Sequence, residues 1–137
     1  MKKTIWTLQI LLALAFTGAG LMKLATAPAT LRANPAMGWS TQFTDLQIKA
    51  IGAAELTGAA GLILPALTGV APVLTSAAAV GLSLLMAGAV SVHLQRGEPP
   101  VAPVILGVLV VTLAVLRLTR RGGAGDPALQ PRSAPQR

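Results

Sequence analysis

Four long apolar runs, each bounded by polar or turn-forming residues, organise this chain. They predict helices at about residues 5–23, 48–67, 72–94 and 101–119, within one domain of residues 1–121. About 20 residues at about 1.5 Å each make a helix of about 30 Å, the hydrocarbon thickness of a bilayer. Because only a helix satisfies its own backbone there, even the Val- and Ile-rich fourth run is predicted to be helical. The pattern predicts an all-α fold, an integral membrane four-helix bundle.

The segments between and after these runs carry turn and loop signals. Residues 25–47 contain Pro28, Pro35 and scattered polar residues, so we expect a loop in which Trp39 and Phe43 lie at headgroup depth. Tight connections are expected near residues 68–72 and 95–100. Residues 122–137 are mainly Gly, Pro, Ala and Arg, and such a basic tail cannot bury enough apolar surface to fold.

The first run has two interpretations. Lys2 and Lys3 precede it and Ala25-Thr26-Ala27 follows it, which is also the pattern of a secretory signal peptide with its cleavage site. The run is longer than the usual signal core, however, and Lys23 stands between it and that site. An uncleaved first transmembrane helix is therefore the favoured interpretation.

Composition supports a membrane protein and argues against several other classes. Charged residues make up 11% of the chain, whereas a soluble domain carries about 25%. The net charge is +7, but the basic residues stand at the ends of apolar runs and aromatic residues are only 3%, so nucleic-acid binding is not expected. With no cysteine, disulfides, thiol catalysis and iron–sulfur ligation are excluded.

Basic residues predict the orientation of the four helices. An even number of crossings places both termini on one side of the membrane. That side holds Lys2, Lys3, Arg117, Arg120, Arg121, Arg132 and Arg137. The opposite side holds Lys23, Arg32, Lys49 and Arg96. The excess of positive charge predicts that both termini are cytoplasmic.

Glu55 lies inside the second apolar run and needs a partner. A carboxylate costs about 2.5–3.5 kcal/mol at a helix centre, whereas one Leu or Ile returns only about 0.3–0.6 kcal/mol. The topology places Glu55 about 6–10 Å deep in the outer leaflet, near Lys23 at the end of the first helix and His93 at the end of the third. Small neighbours such as Gly20 and Gly52 predict that these faces meet other helices. We therefore expect one polar cluster, with Lys23 as the main partner of Glu55.

Small residues at four-residue spacing also suggest packing faces elsewhere. Ala50, Ala54 and Gly58 recur in the second run, and Ala77 and Gly81 repeat the spacing in the third. This spacing is typical of close helix–helix approach in lipid and suggests that these two stripes are packed. The alternative is that alanine and glycine are simply abundant in this chain.

Each residue of the cluster has a structural and a functional interpretation. Lys23 alone would be an anchor that reaches for the interface, and His93 alone an interfacial polar residue. Glu55 would then be half of an ion pair that holds the bundle together. In the functional interpretation Glu55 accepts a hydrogen bond or proton from a ligand, Lys23 keeps it ionised, and His93 changes charge near neutral pH.

Three stretches resemble the DoxX and DoxX-like family. They are Gly18–Leu24 (GAGLMKL), Ile51–Pro65 (IGAAELTGAAGLILP) and Ala89–His93 (AVSVH) with Arg96–Glu98 (RGE), and the resemblance extends over about residues 5–119. It implies a compact four-helix bundle in the inner membrane of a bacterial cell. It also places the family's polar motif positions on the three residues of the cluster.

The resemblance further implies a function, because some members are linked to quinone-dependent sulfur oxidation or to quinone stress. We therefore expect an outer-leaflet polar pocket for a quinone or another small amphipathic molecule, and a membrane redox partner or a homo-oligomer. The alternatives are a non-catalytic structural or accessory subunit and a small transporter built as an oligomer. Whether the protein is an enzyme stays open at this point.

The sequence contains few features that would indicate other cofactors. It contains no nucleotide-binding fingerprint, no metal-ligand cluster and no nucleophile–base pair. With His93 as the single histidine, haem held by two histidines is excluded. Haem held by His93 and one of Met22, Met37 or Met86 is the one haem ligation that the sequence still permits.

Overall fold

Four long helices dominate the computed structural model, which describes residues 2–71 and 73–123. The elements in order are α1 (Lys2–Ala25), α2 (Pro28–Ala33), a 3₁₀ helix (Pro35–Gln42), α3 (Asp45–Thr68), α4 (Val73–Gln95) and α5 (Val101–Gly123). Helices α1, α3, α4 and α5 are each long and apolar enough to cross a membrane. The predicted all-α membrane bundle is confirmed, and no strand is present in the described ranges.

The long helices pack as a ring in which neighbours in sequence are neighbours in space. Helix α1 packs on α3, α3 on α4 and α4 on α5, and α5 closes the ring on α1 over a shorter interface. Phe16, Leu62, Leu82 and Leu113 lie fully or almost fully buried at its centre. Many large apolar side chains remain on the outside, as expected of a bundle whose solvent is lipid.

Glycines bring α1 and α3 into backbone contact. A methyl group on Gly20 would lie 2.7 Å from the carbonyl oxygen of Gly52, and one on Gly52 would lie 2.8 Å from Cβ of Lys23. Only glycine permits this approach, which is the usual role of small residues between helices in lipid. The contact sets Lys23 of α1 directly beside Glu55, one turn further along α3.

The two stripes predicted from four-residue spacing are not the packed faces. Ala50, Ala54, Ala77 and Gly81 are exposed, although Gly58 does pack closely against Leu82 of α4. The buried face of α3 instead consists of Ile48, Gly52, Glu55, Ala59, Leu62 and Pro65. Alanine and glycine are so frequent here that spacing alone does not select a stripe. The cost of exposing Glu55 to lipid selects the face that is buried.

Residues 25–44 are more ordered than the predicted loop. Pro28 and Pro35 stand at helix N-termini, where their fixed φ starts a helical turn, and so they begin α2 and the 3₁₀ helix. The guanidinium of Arg32 then donates to the carbonyl oxygen of Phe43 at 2.9 Å and to a carboxylate oxygen of Asp45 at 2.6 Å. Residues 34–43, called the strap below, are thereby tied to the start of α3.

Both ends of the α1–α3 connection are capped. Thr44 and Gln47 form a capping box that starts α3 at Asp45, ahead of the predicted boundary. The ammonium of Lys49 donates to the carbonyl oxygens of Lys23, Leu24 and Thr26 at 2.7–2.9 Å. Those are the carbonyls that a helix C-terminus leaves without donors, so Lys49 caps α1 from the neighbouring helix.

The other end of the chain departs from its predicted boundary. Helix α5 continues to Gly123, so the first two residues of the predicted tail are helical. The remainder of that tail, residues 124–137, lies outside the described residues.

We predict that Gly52→Ala separates α1 from α3 and destabilises the bundle by about 1–3 kcal/mol, as overpacking does. Gly18→Ala is the matched control, because a methyl group there meets no atom within 4 Å. Thermal unfolding of both variants in one detergent measures the difference. Equal unfolding temperatures for the two variants would contradict the close contact.

Candidate functional site

A cavity lies at the end of the bundle that carries the strap. Its volume is about 540 Å³, within the range of about 300–1,000 Å³ typical of small-molecule sites. All four long helices and the strap contribute to its wall. The lining residues are Ala19, Met22, Lys23, Met37, Trp39, Phe43, Ile51, Glu55, Leu84, Leu85, Met86, Gly88, Ala89, Val92, His93, Ala102, Pro103 and Leu106.

Lys23 and Glu55 form a buried ion pair in the cavity wall. The ammonium nitrogen lies 2.9 Å from Oε1 and 2.7 Å from Oε2, and both residues are almost inaccessible. A third, longer contact of 3.5 Å runs from this ammonium to the carbonyl oxygen of Ala19. The three N–H groups of the lysine are therefore all directed at acceptors within the protein.

Two aromatic residues of the strap cover this pair. The Lys23 ammonium lies 5.4 Å from the ring centroid of Trp39, a cation–π distance. The ring of Phe43 meets Trp39 edge to face, with the centroids 5.9 Å apart and the planes at 65°. Trp39 and Phe43 were expected at headgroup depth, and in the structure they line the cavity.

The third polar group of the wall, His93, belongs to the C-terminal cap of α4. Gly97 takes a left-handed conformation with φ +68°, and its N–H donates to the carbonyl oxygen of Leu94 at 3.0 Å. The N–H of Glu98 donates to the carbonyl oxygen of His93 at 2.9 Å. These two bonds form a Schellman motif, which turns the chain back so that Glu98 lies over His93.

Glu98 divides its two carboxylate oxygens between two partners. Oε1 accepts from Nε of Arg96 at 2.8 Å and lies 2.7 Å from an Nη atom of the same guanidinium, while Oε2 lies 3.2 Å from Nδ1 of His93. The hydrogen bond from Arg96 lowers the pKa of Glu98, so this carboxyl group is ionised near neutral pH. Arg96 also donates to Thr41 of the strap at 3.1 Å, which joins this turn to the strap.

The three predicted site residues thus share one cavity but form two separate polar groups. The expected pairing of Glu55 with Lys23 is present. His93 does not join that pair, because the Schellman motif supplies Glu98 as its partner. Glu98 was missed as a site residue, although Gly97 followed by Glu98 and two prolines is a recognisable helix-end signal.

A further buried polar group lies at the opposite end of the bundle from the strap, where α1 begins and α5 ends. Gln9 is completely buried in α1 and donates to the carbonyl oxygen of Leu62 in α3 at 2.5 Å, near Pro65. Arg117 of α5 donates to the side-chain oxygen of Gln9. This group joins three of the four long helices. Arg117 had been assigned only to the charged end of the fourth run.

Metal binding finds no support in the part of the chain that the structure describes. There, no three side chains of His, Cys, Asp or Glu lie close enough together to hold an ion.

These features define a small multi-pass membrane protein, a four-helix bundle with a largely apolar cavity at one end. The chain belongs to the DoxX-like family, whose sequence pattern it matches over residues 7–116. That range runs through all four long helices, and it confirms the resemblance seen in the sequence motifs. No protein of curated function and no solved structure matches the chain.

Lys23→Met alone should destabilise the protein by about 3–5 kcal/mol, because it leaves the Glu55 carboxylate buried without its cation. Lys23→Met combined with Glu55→Leu should cost much less, since no charge remains stranded. Thermal unfolding of the wild type, of Lys23→Met, of Glu55→Leu and of the double variant completes the double-mutant cycle. Strictly additive losses would show that the two side chains do not interact.

Proposed function

We propose that this protein takes up a small amphipathic molecule from the bilayer, with a quinone as the best-fitting class, and that it serves a redox-related role in the membrane. The observation that carries the proposal is the cavity of about 540 Å³, which combines apolar walls with a few convergent polar groups. A molecule with a planar polar head and an apolar tail matches that division.

The surroundings of the cavity support entry from lipid. Leu84 and Gly88 line the cavity, yet both lie on the exposed surface of α4, and Leu84 is 69% exposed. The cavity therefore reaches the face of the bundle that contacts lipid chains. An apolar tail can remain in the bilayer while the head occupies the cavity beside Trp39, whose flat ring suits an aromatic or quinoid partner.

We further propose that the protein lies in a bacterial inner membrane with both termini cytoplasmic, so that the cavity lies in the outer leaflet. The support is the excess of basic residues on the terminal side, which the positive-inside rule assigns to the cytoplasm. A membrane redox partner, or a second copy of the chain, would exchange electrons or ligand with this site.

A structural or accessory role is the second candidate, and one observation favours it. Lys23 directs its N–H groups at Glu55 and Ala19, so it has no unused donor to offer a ligand. In that case the ion pair fixes the register of α1 against α3, and the cavity is a by-product of packing around the strap.

Ligand binding distinguishes the two candidates. The full-length protein with Trp6→Phe keeps Trp39 as its single tryptophan, and a short-chain benzoquinone should quench its fluorescence saturably. Gly88→Phe should weaken this binding at least about tenfold, because Gly88 lines the cavity where it reaches the surface and a Cβ there meets no protein atom within 4 Å, which leaves room for a ring across the opening. Gly81→Phe is the matched control, since Gly81 is equally open on α4 but does not line the cavity.

Mass spectrometry of lipids and quinones that co-purify in mild detergent gives an independent readout. Failure of any quinone to co-purify, together with equal quenching of the Gly88→Phe and Gly81→Phe variants, would refute ligand binding and favour the accessory role.

The orientation is tested by reporter fusions at residue 36 and at Arg137. A periplasm-active reporter should function at residue 36 and fail at Arg137, and a cytoplasm-active reporter should do the opposite. Reversed activities would overturn the proposed orientation, and activity of the same reporter at both positions would contradict an odd number of crossings between them.

A further inference from the structure

The polar groups of the cavity differ in how many hydrogen-bond donors and acceptors remain unused and available to a ligand. The N–H groups of Lys23 are directed at Glu55 and Ala19, and each oxygen of Glu55 accepts from Lys23. The pair is also neutral overall. The pair therefore offers a ligand no free N–H donor and no net charge, and only the remaining lone pairs of the Glu55 carboxylate can accept from it.

His93 differs, because only one of its ring nitrogens is engaged. Nδ1 is buried and lies 3.2 Å from Oε2 of Glu98. This contact does not meet the geometry of a standard hydrogen bond, so the attraction is mainly electrostatic. His93 lines the cavity, and its Nε2 makes no hydrogen bond to any residue that the structure describes. Unlike Nδ1, Nε2 is not among the buried unpartnered atoms, so it is the ring nitrogen open to a ligand.

The carboxylate of Glu98 decides which nitrogen carries the proton. An ionised carboxylate only accepts, so the lone pair of a neutral imidazole is repelled from it and an N–H is attracted. The proton of a neutral His93 is therefore held on Nδ1. Nε2 is then an acceptor, and it becomes a donor only when the ring takes up a second proton.

We infer that His93 is the ligand-contacting polar group of the cavity and that Glu98 is its positioning residue, so that the site selects a ring hydroxyl when His93 is neutral and a ring carbonyl when His93 is protonated. This inference rests on the proposed function and names the ligand group that the site recognises. For a quinone and its quinol, the two protonation states of one side chain favour the two oxidation states of one ligand.

The other charged groups around His93 are held in ion pairs. Arg96 and Glu98 are paired on the turn, and Lys23 and Glu55 are paired across α1 and α3. The strap contributes Met37, Trp39 and Phe43 to the cavity, and α5 contributes Ala102, Pro103 and Leu106, none of which titrates. We assign a pH-dependent preference of the cavity to His93, whose open ring nitrogen distinguishes it from the paired Glu55, and the His93→Gln variant below tests this assignment.

The test uses two probes that need no redox chemistry, 4-hexylphenol as a hydroxyl donor and hexanophenone as a carbonyl acceptor. Binding of each to the full-length Trp6→Phe protein is followed by quenching of Trp39 from pH 8 to pH 5. The ratio of the two dissociation constants should change about fivefold in favour of the ketone as pH falls, the size of one hydrogen bond.

Two variants separate the ligand contact from its positioning. With His93→Gln the ratio should not change with pH, because the amide does not titrate. With Glu98→Gln the titration should persist, but the preference for the phenol at pH 8 should decline, since the amide no longer fixes the proton on Nδ1. The Schellman motif survives in this variant because Glu98 contributes only its backbone N–H to it. Glu98→Asp should restore part of the preference.

The outcomes distinguish this inference from the proposed function. Binding of both probes with a ratio independent of pH, or a pH dependence that His93→Gln leaves intact, would overturn the inference while the binding cavity stands. Quenching by neither probe, nor by the benzoquinone, would overturn both.

Discussion

A charge pair buried in an apolar bundle is the constraint on which this structure depends. Lipid offers no water to solvate Glu55, so its carboxylate requires a cation, and Lys23 meets it across a glycine contact between α1 and α3. Lys49 holds the backbone of the same lysine through the carbonyl oxygens at the end of α1. Two residues of α3 therefore hold Lys23, Glu55 through its side chain and Lys49 through its backbone. Trp39 of the strap then covers the Lys23 ammonium.

The bundle could be predicted from the sequence because the bilayer leaves few alternatives. Apolar runs of sufficient length must be helices there, and a lone carboxylate among them must find a partner. The same reasoning brought Glu55 to Lys23. The prediction from small-residue spacing was wrong for Ala77 and Gly81, which are exposed. Small residues permit close packing, but no energetic penalty requires them to be packed.

Other parts of the site depend on tertiary geometry that the sequence pattern does not contain. Lys49 and Arg96 were counted as charges for topology, and their roles as a helix cap and a link to the strap require knowledge of neighbouring chain ends. Two prolines suggested a loop, but Pro28 begins α2 and Pro35 begins the 3₁₀ helix of the strap. The pairing of His93 with Glu98 was within reach of sequence analysis, since it arises from a helix-end motif contained in six residues.

That local origin has a mechanical consequence. His93 and Glu98 are held together by backbone bonds of one helix end, whereas Lys23 and Glu55 are held together by the contact of two helices. If α4 slides or tilts against α1 and α3, the histidine and its carboxylate move together, while their distance to the lysine pair and the link from Arg96 to Thr41 of the strap change. The volume of the cavity and the protonation chemistry at its rim are therefore separate variables, and this bundle can adjust one without disturbing the other.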